Sequence, residues 1–172
     1  ATAAGPAFAA WASAQGVGHA DWLLARGATT EALVQAATRH DLLLLDQAAA
    51  GDAAATRELA GIILQAGIPC LVMPRNGLYC EQLERVCVAW NASPEAMRAL
   101  HAALPFLPGK QITLLVGEER ERSGAVEWLP PFDVVHWLEG RGVLVERRAI
   151  HAKSDAAGYA LLDEALKSRA QL

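Results

Sequence analysis

The chain has 172 residues, 53% of them apolar, and a formal net charge of -4. That apolar share is enough to bury a core, and basic residues scattered singly leave no positive stripe for a nucleic-acid backbone. The longest apolar runs, such as 42–45 and 112–116, are strand-sized and fall far short of the roughly 20 residues a membrane helix needs, so neither nucleic acid nor membrane is expected as a partner.

Residues 1–12 are alanine-rich and lack the basic start and leucine-type core of a secretory leader, which makes the cytoplasm the expected location. Short continuous apolar runs then alternate with longer helical stretches, the pattern of βαβ units around a parallel sheet covered on both faces. An α/β class follows. A helix end over 7–15 closes at Gly16, and 19–25 reads as a strand. Thr29 or Thr30 can cap a helix over 31–39, and 41–46 is a buried strand. A loop of small residues, 47–55, leads to a helix over 56–66 that stops at Gly67, and 68–73 is a strand ended by Pro74. The first half is thus expected to supply three strands.

Asn76-Gly77 and the polar residues around it mark 75–84 as a linker between a first unit, 1–74, and a second, 85–172. Beyond it, 85–90 is a strand, Ser93 caps a helix with Pro94 at its first position, and that helix runs to about Leu104. A strand over 111–116, a mixed-charge loop over 117–124, a helix from Pro131 to Leu138 and a strand over 143–150 come next. A last helix, 155–167, capped by Ser154 or Asp155, precedes residues 170–172, which read as the start of a strand. Trp11, Gly16 and Val17 match Trp137, Gly142 and Val143 at one constant interval, so the chain carries about one and a third copies of a repeat: a late part, the linker, then an early part.

Three blocks resemble the universal stress protein family. The stretch from Arg85 to Leu100, with Val88-Ala89-Trp90-Asn91-Ala92-Ser93, is similar to the family's first strand and helix, V-A-x-D-G-S-x-x-A-x-x-A-L. Gly27 through Asp46 is similar to its third helix and fourth strand, and Ile68-Pro69-Cys70-Leu71-Val72-Met73-Pro74 to its last strand. The resemblance implies a Rossmann-like, flavodoxin-like open parallel sheet in the order 3-2-1-4-5, with ligands at the carboxyl ends of the strands. It also implies the end of one such domain followed by the start of a second. Strands 41–46 and 68–73 could then complete the second unit as one permuted sheet, or a partner chain could do so by swapping.

In nucleotide-binding members of the family an aspartate follows the first strand, and a glycine-rich loop after the fourth cradles phosphates. Here Asn91 stands at the first place, and the loop at the second, Asp46-Gln47 through Gly51-Asp52, keeps one glycine and adds two carboxylates that repel a triphosphate. The candidate ligand residues are therefore Trp90, Asn91, Asp46, Gln47 and Gly51. Each has a plainer reading: Asn91 as a turn residue, Trp90 as core that could also stack on a planar ligand, Ser93 as a helix cap. Cys70, Cys80 and Cys87 read as small core fillers, and the five histidines have no metal-binding spacing. With no Ser/His/Asp arrangement, P-loop or paired carboxylates, neither catalytic residues nor a cofactor are expected. The expected function is a non-enzymatic stress-response protein that binds a small molecule or a protein partner and forms a homodimer. An ATP-binding module with weak hydrolysis is one alternative, and a dimerisation scaffold pairing through 68–73 is another.

Overall fold

The computed structural model describes residues 4–48, 51–74, 83–117, 129–151 and 156–172. The chain divides into two compact units, Ala1–Arg75 and Asn76–Leu172. Both are α/β with parallel strands. The expected linker 75–84 and loop 117–124 lie almost wholly outside the described residues, as do Cys80 and the expected caps Ser154 and Asp155.

In the first unit, α1 (Ala4–Ala14) ends where Gly16 turns left-handed at φ 77°, and Val17 N–H reaches back to Ala12 C=O at 3.0 Å. The strand expected over 19–25 is not formed. Trp22 instead turns onto Phe8 of α1, ring centroids 5.6 Å apart, and Leu23 and Leu24 stay exposed. A strand exists through its ladder, and an apolar run with no neighbour to pair with gains nothing by extending. Two strands, not three, therefore form in this unit.

α2 (Thr29–Ala37) starts with both threonines already inside the helix and no side-chain cap at Ala28. β1 (Leu43–Asp46) and β2 (Cys70–Met73) pair in parallel, Leu43 opposite Cys70 through Asp46 opposite Met73. Between them α3 (Ala53–Gln65) begins three residues before the expected start, because the Asp52 carboxylate accepts from Ala54 N–H at 3.0 Å and Ala55 N–H at 2.9 Å. α2 packs on α3, and Ala37, Leu45 and Ile62 are buried.

In the second unit, β3 (Arg85–Trp90), α4 (Pro94–Ala103), β4 (Gln111–Val116), α5 (Val134–Glu139), β5 (Val145–Ala149) and α6 (Ala157–Lys167) follow in order. β3, β4 and β5 form one parallel sheet, Arg85 opposite Gln111 and Ile112 opposite Val145. β4 lies in the middle and is buried from Ile112 to Val116, as its mostly apolar run requires. Alternation along the strands sorts the two faces. Val86, Trp90, Ile112, Leu114 and Val116 pack with Leu100 of α4 and Leu138 of α5 into the core. Cys87 and Arg148 fall on the other face, where Arg148 lies 3.8 Å from Glu164 of α6.

The other edge of β3 carries the end of the chain. Gln171 N–H donates to Arg85 C=O at 2.9 Å and Cys87 N–H donates to Leu172 C=O at 2.7 Å. The Gln171 side-chain oxygen also accepts from Glu84 N–H at 2.7 Å and Arg85 N–H at 2.9 Å. Residues 170–172 thus occupy the place that a permuted sheet would give to 41–46. The permuted sheet is not formed: β1 and β2 make a sheet of their own.

Replacing Gln171 by alanine leaves the Glu84 and Arg85 N–H groups without their acceptor, at a cost of about 1 kcal/mol to the second unit. Chemical denaturation should show that loss, and hydrogen exchange should show both amides losing protection. Unchanged exchange at Glu84 and Arg85 would mean that this edge is held by other contacts.

Candidate functional site

The turn between β3 and α4 is built by three consecutive residues. Asn91 Oδ1 accepts from Ser93 N–H at 3.1 Å, an Asx turn that folds the chain back. Ala92 sits at φ 56°, in the left-handed region that glycine enters freely and alanine does not. Ser93 then caps α4, its Oγ accepting from Ala96 N–H at 3.1 Å, with Pro94 in the first turn. On the far side, the Asp133 carboxylate caps α5 by accepting from Val135 N–H at 2.8 Å and His136 N–H at 3.3 Å.

Between these two helix starts, at the carboxyl ends of β3 and β4, lies an open cleft of about 670 Å³. Trp90, Met97 and Phe132 supply its apolar wall, Ser93 and Asp133 its polar rim, and Arg147 of β5 its cation. Trp90 is only 4% exposed. It therefore belongs to the core and borders the cleft, its ring centroid 6.1 Å from that of Phe132. Arg147 reaches the cleft because the register sets it opposite Leu114, on the same face of the sheet as Val86 and Trp90. Among the described residues Arg147 has no ion pair or hydrogen bond, whereas Arg148, on the other face, is held by Glu146 at 2.8 Å.

The five residues singled out in the sequence are divided between the two units. Trp90 lines the cleft; Asn91 is beside it and spends its side chain on the turn. Asp46, Gln47 and Gly51 lie in the first unit. There Gln47 N–H donates to Met73 C=O at 2.8 Å, and Gly51 sits at φ 81° just before the Asp52 cap. The N–H groups at the start of α3 that could face a phosphate are already satisfied by Asp52. Arg147, Met97 and Phe132 escaped the sequence reading. The one available signal was the period of two along β5, which sets Arg147 on the face of the buried α4 and α5 contacts.

A second cleft, of about 630 Å³, lies at the amino ends of the strands. Three of its four cations are in ion pairs: Arg85 with Glu84, Arg148 with Glu146, Lys167 with Asp163 and Glu164. Burial pushes the Cys87 thiol up from its ordinary pKa, and does the same for Cys70 of the first unit, yet both are half-buried and neither is among the buried core residues, unlike the expected fillers. Among the described residues no group of three or more His, Cys, Asp or Glu is placed to hold a metal ion, and no helix is long and apolar enough to cross a membrane. No protein-family model matches the chain, and no curated protein matches it.

Two outcomes test the turn. Ala92→Gly relieves the left-handed strain but adds freedom to the unfolded chain, for a net gain of about 0.5 kcal/mol, while Ala92→Val costs about 1–2 kcal/mol because a β-branched residue enters that region poorly. Melting temperatures that move in opposite directions for the two variants are the expected result. The Glu95 carboxyl in the first turn of α4 is held below its ordinary pKa, first by a backbone N–H and then by Arg98, 2.8 Å away. Its stabilising contribution is complete above the unfolded pKa and is lost as pH falls through the folded one. In Arg98→Ala an NMR titration should find Glu95 raised toward its ordinary value but still below it, since the backbone N–H remains.

Proposed function

We propose that the chain is a universal-stress-protein-like, non-enzymatic protein of the stress response, acting in the cytoplasm, that holds a small molecule in the cleft at the carboxyl ends of β3 and β4. The observation that carries the reading is the place of that cleft. β3, β4 and β5 step outward along the sheet, and the chain then returns to the opposite edge of β3. Open parallel sheets bind their ligands at the carboxyl ends of strands beside such a reversal. The volume also falls within the roughly 300–1,000 Å³ usual for small-molecule sites.

The family reading draws support from three features. Residues 170–172, β3, β4 and β5 lie in an order that agrees with the family's strands 4, 1, 2 and 3. β1 and β2 pair as its strands 4 and 5 would. The matched glycines also close their helices alike. Gly16 N–H donates to Ser13 C=O and Val17 N–H to Ala12 C=O, while Gly142 N–H donates to Glu139 C=O and Val143 N–H to Leu138 C=O. An ATP site in the loop after β1 is disfavoured by Asp52, whose carboxylate takes up the N–H groups that would cradle phosphate.

A thermal-shift screen of small molecules, with ATP and magnesium among them, tests the reading on the native chain and on Met97→Trp, which fills the cleft. A ligand held at a hundred times its Kd adds about 2.7 kcal/mol, a rise of many degrees for a unit of this size. The expected result is a stabilisation by at least one small molecule that Met97→Trp abolishes. The same rise in the variant, or none with any molecule, would overturn it.

A further inference from the structure

The charge in the cleft narrows what it can hold. Three polar groups surround the space, and two of them are already committed. Ser93 Oγ accepts from Ala96 N–H, and Pro94 brings no N–H to the start of α4. Met97 N–H is spent on Ser93 C=O at 3.0 Å. The first turn of α4 therefore keeps little to offer an anion, although an uncapped helix start would attract one. The Asp133 carboxylate is engaged by the two N–H groups of α5. Arg147 remains, among the described residues, without an ion pair or hydrogen bond, and its place in the ladder opposite Leu114 fixes it.

The rest of the lining is apolar and aromatic. The Trp90 and Phe132 rings are tilted to each other by 42° with centroids 6.1 Å apart, and Met97 adds a polarisable thioether. A planar ring fits against such a wall better than a branched chain does. We infer that the cleft selects a planar aromatic acid with one negative charge, its ring against Phe132 and Met97 beside the buried Trp90 and its carboxylate on the Arg147 guanidinium. One guanidinium matches one carboxylate in a two-pronged pair. It is too little for a di- or triphosphate, which needs several donors at once. The inference rests on the reading of the cleft as a ligand site.

Calorimetric titration with 2-naphthoate, its neutral analogue 2-naphthalenemethanol, and AMP decides it, on the native chain, on Arg147→Gln and on Met97→Trp. The expected result is 2-naphthoate binding about 10-fold more tightly than the alcohol. Arg147→Gln should remove that difference by weakening the acid alone, and AMP should bind more weakly than the acid. Equal binding of acid and alcohol, or an acid affinity untouched by Arg147→Gln, would overturn the charge selection while leaving the cleft reading intact. AMP binding more tightly than 2-naphthoate would overturn it in favour of a phosphate ester. If no probe binds, or Met97→Trp leaves binding unchanged, the cleft itself is not the site and both readings fall.

Discussion

The pairing of β4 with β3 on one side and β5 on the other is the constraint from which the second unit follows. A strand with neighbours on both edges and helices on both faces must be buried on both sides, and Ile112 through Val116 meet that demand with one polar residue among them, Thr113. Once β4 is fixed, the register fixes the rest. Arg147 must fall on the face of α4 and α5, and Arg148 on the face of α6. A shift of one residue along β5 would exchange their places. The chemistry of the cleft is therefore set by hydrogen bonds of the ladder, several residues from any candidate ligand.

The helix starts tell a second story. Asp52, Ser93 and Asp133 each close their own helix, so the positive ends of α3, α4 and α5 are satisfied locally. Proteins that bind phosphates at such places leave the N–H groups open and approach them with glycine. Here the opposite choice stabilises each helix by about 1 kcal/mol and removes its use as an anion site. The tight turn Asn91-Ala92-Ser93 carries the same mark, with alanine accepting a left-handed backbone at the place where the resembling pattern has glycine.

How much of this could be read from the sequence depends on how local the deciding interaction is. β3 and β4 are legible to the residue, because each is a mostly apolar run bounded by turn residues. Ser93-Pro94-Glu95 is legible as a helix start because the cap is three residues long. The start of α3 was misplaced, since an aspartate in an alanine-rich loop looks the same whether it caps or not. Residues 19–25 failed for a non-local reason: the run has the composition of a strand, and only a neighbour could make it one. Arg147 was hidden likewise. Nothing in Val-Glu-Arg-Arg-Ala distinguishes the two arginines until the register assigns them faces.

The two clefts of the second unit then separate on physical grounds, although their volumes are alike. At the amino ends, Arg85, Arg148 and Lys167 are spent on Glu84, Glu146, Asp163 and Glu164. A ligand there would have to break exposed ion pairs that each contribute little, and it would gain little in return. Lys110 alone is uncommitted there, and it faces no aromatic wall. At the carboxyl ends the balance is reversed. The carboxylate and the hydroxyl are engaged in helix caps, the cation has no partner among the described residues, and the Trp90 ring is already packed. Recognition depends on what the fold leaves unpaired, and that difference between the two clefts is the ground for proposing the carboxyl-end one as the ligand site.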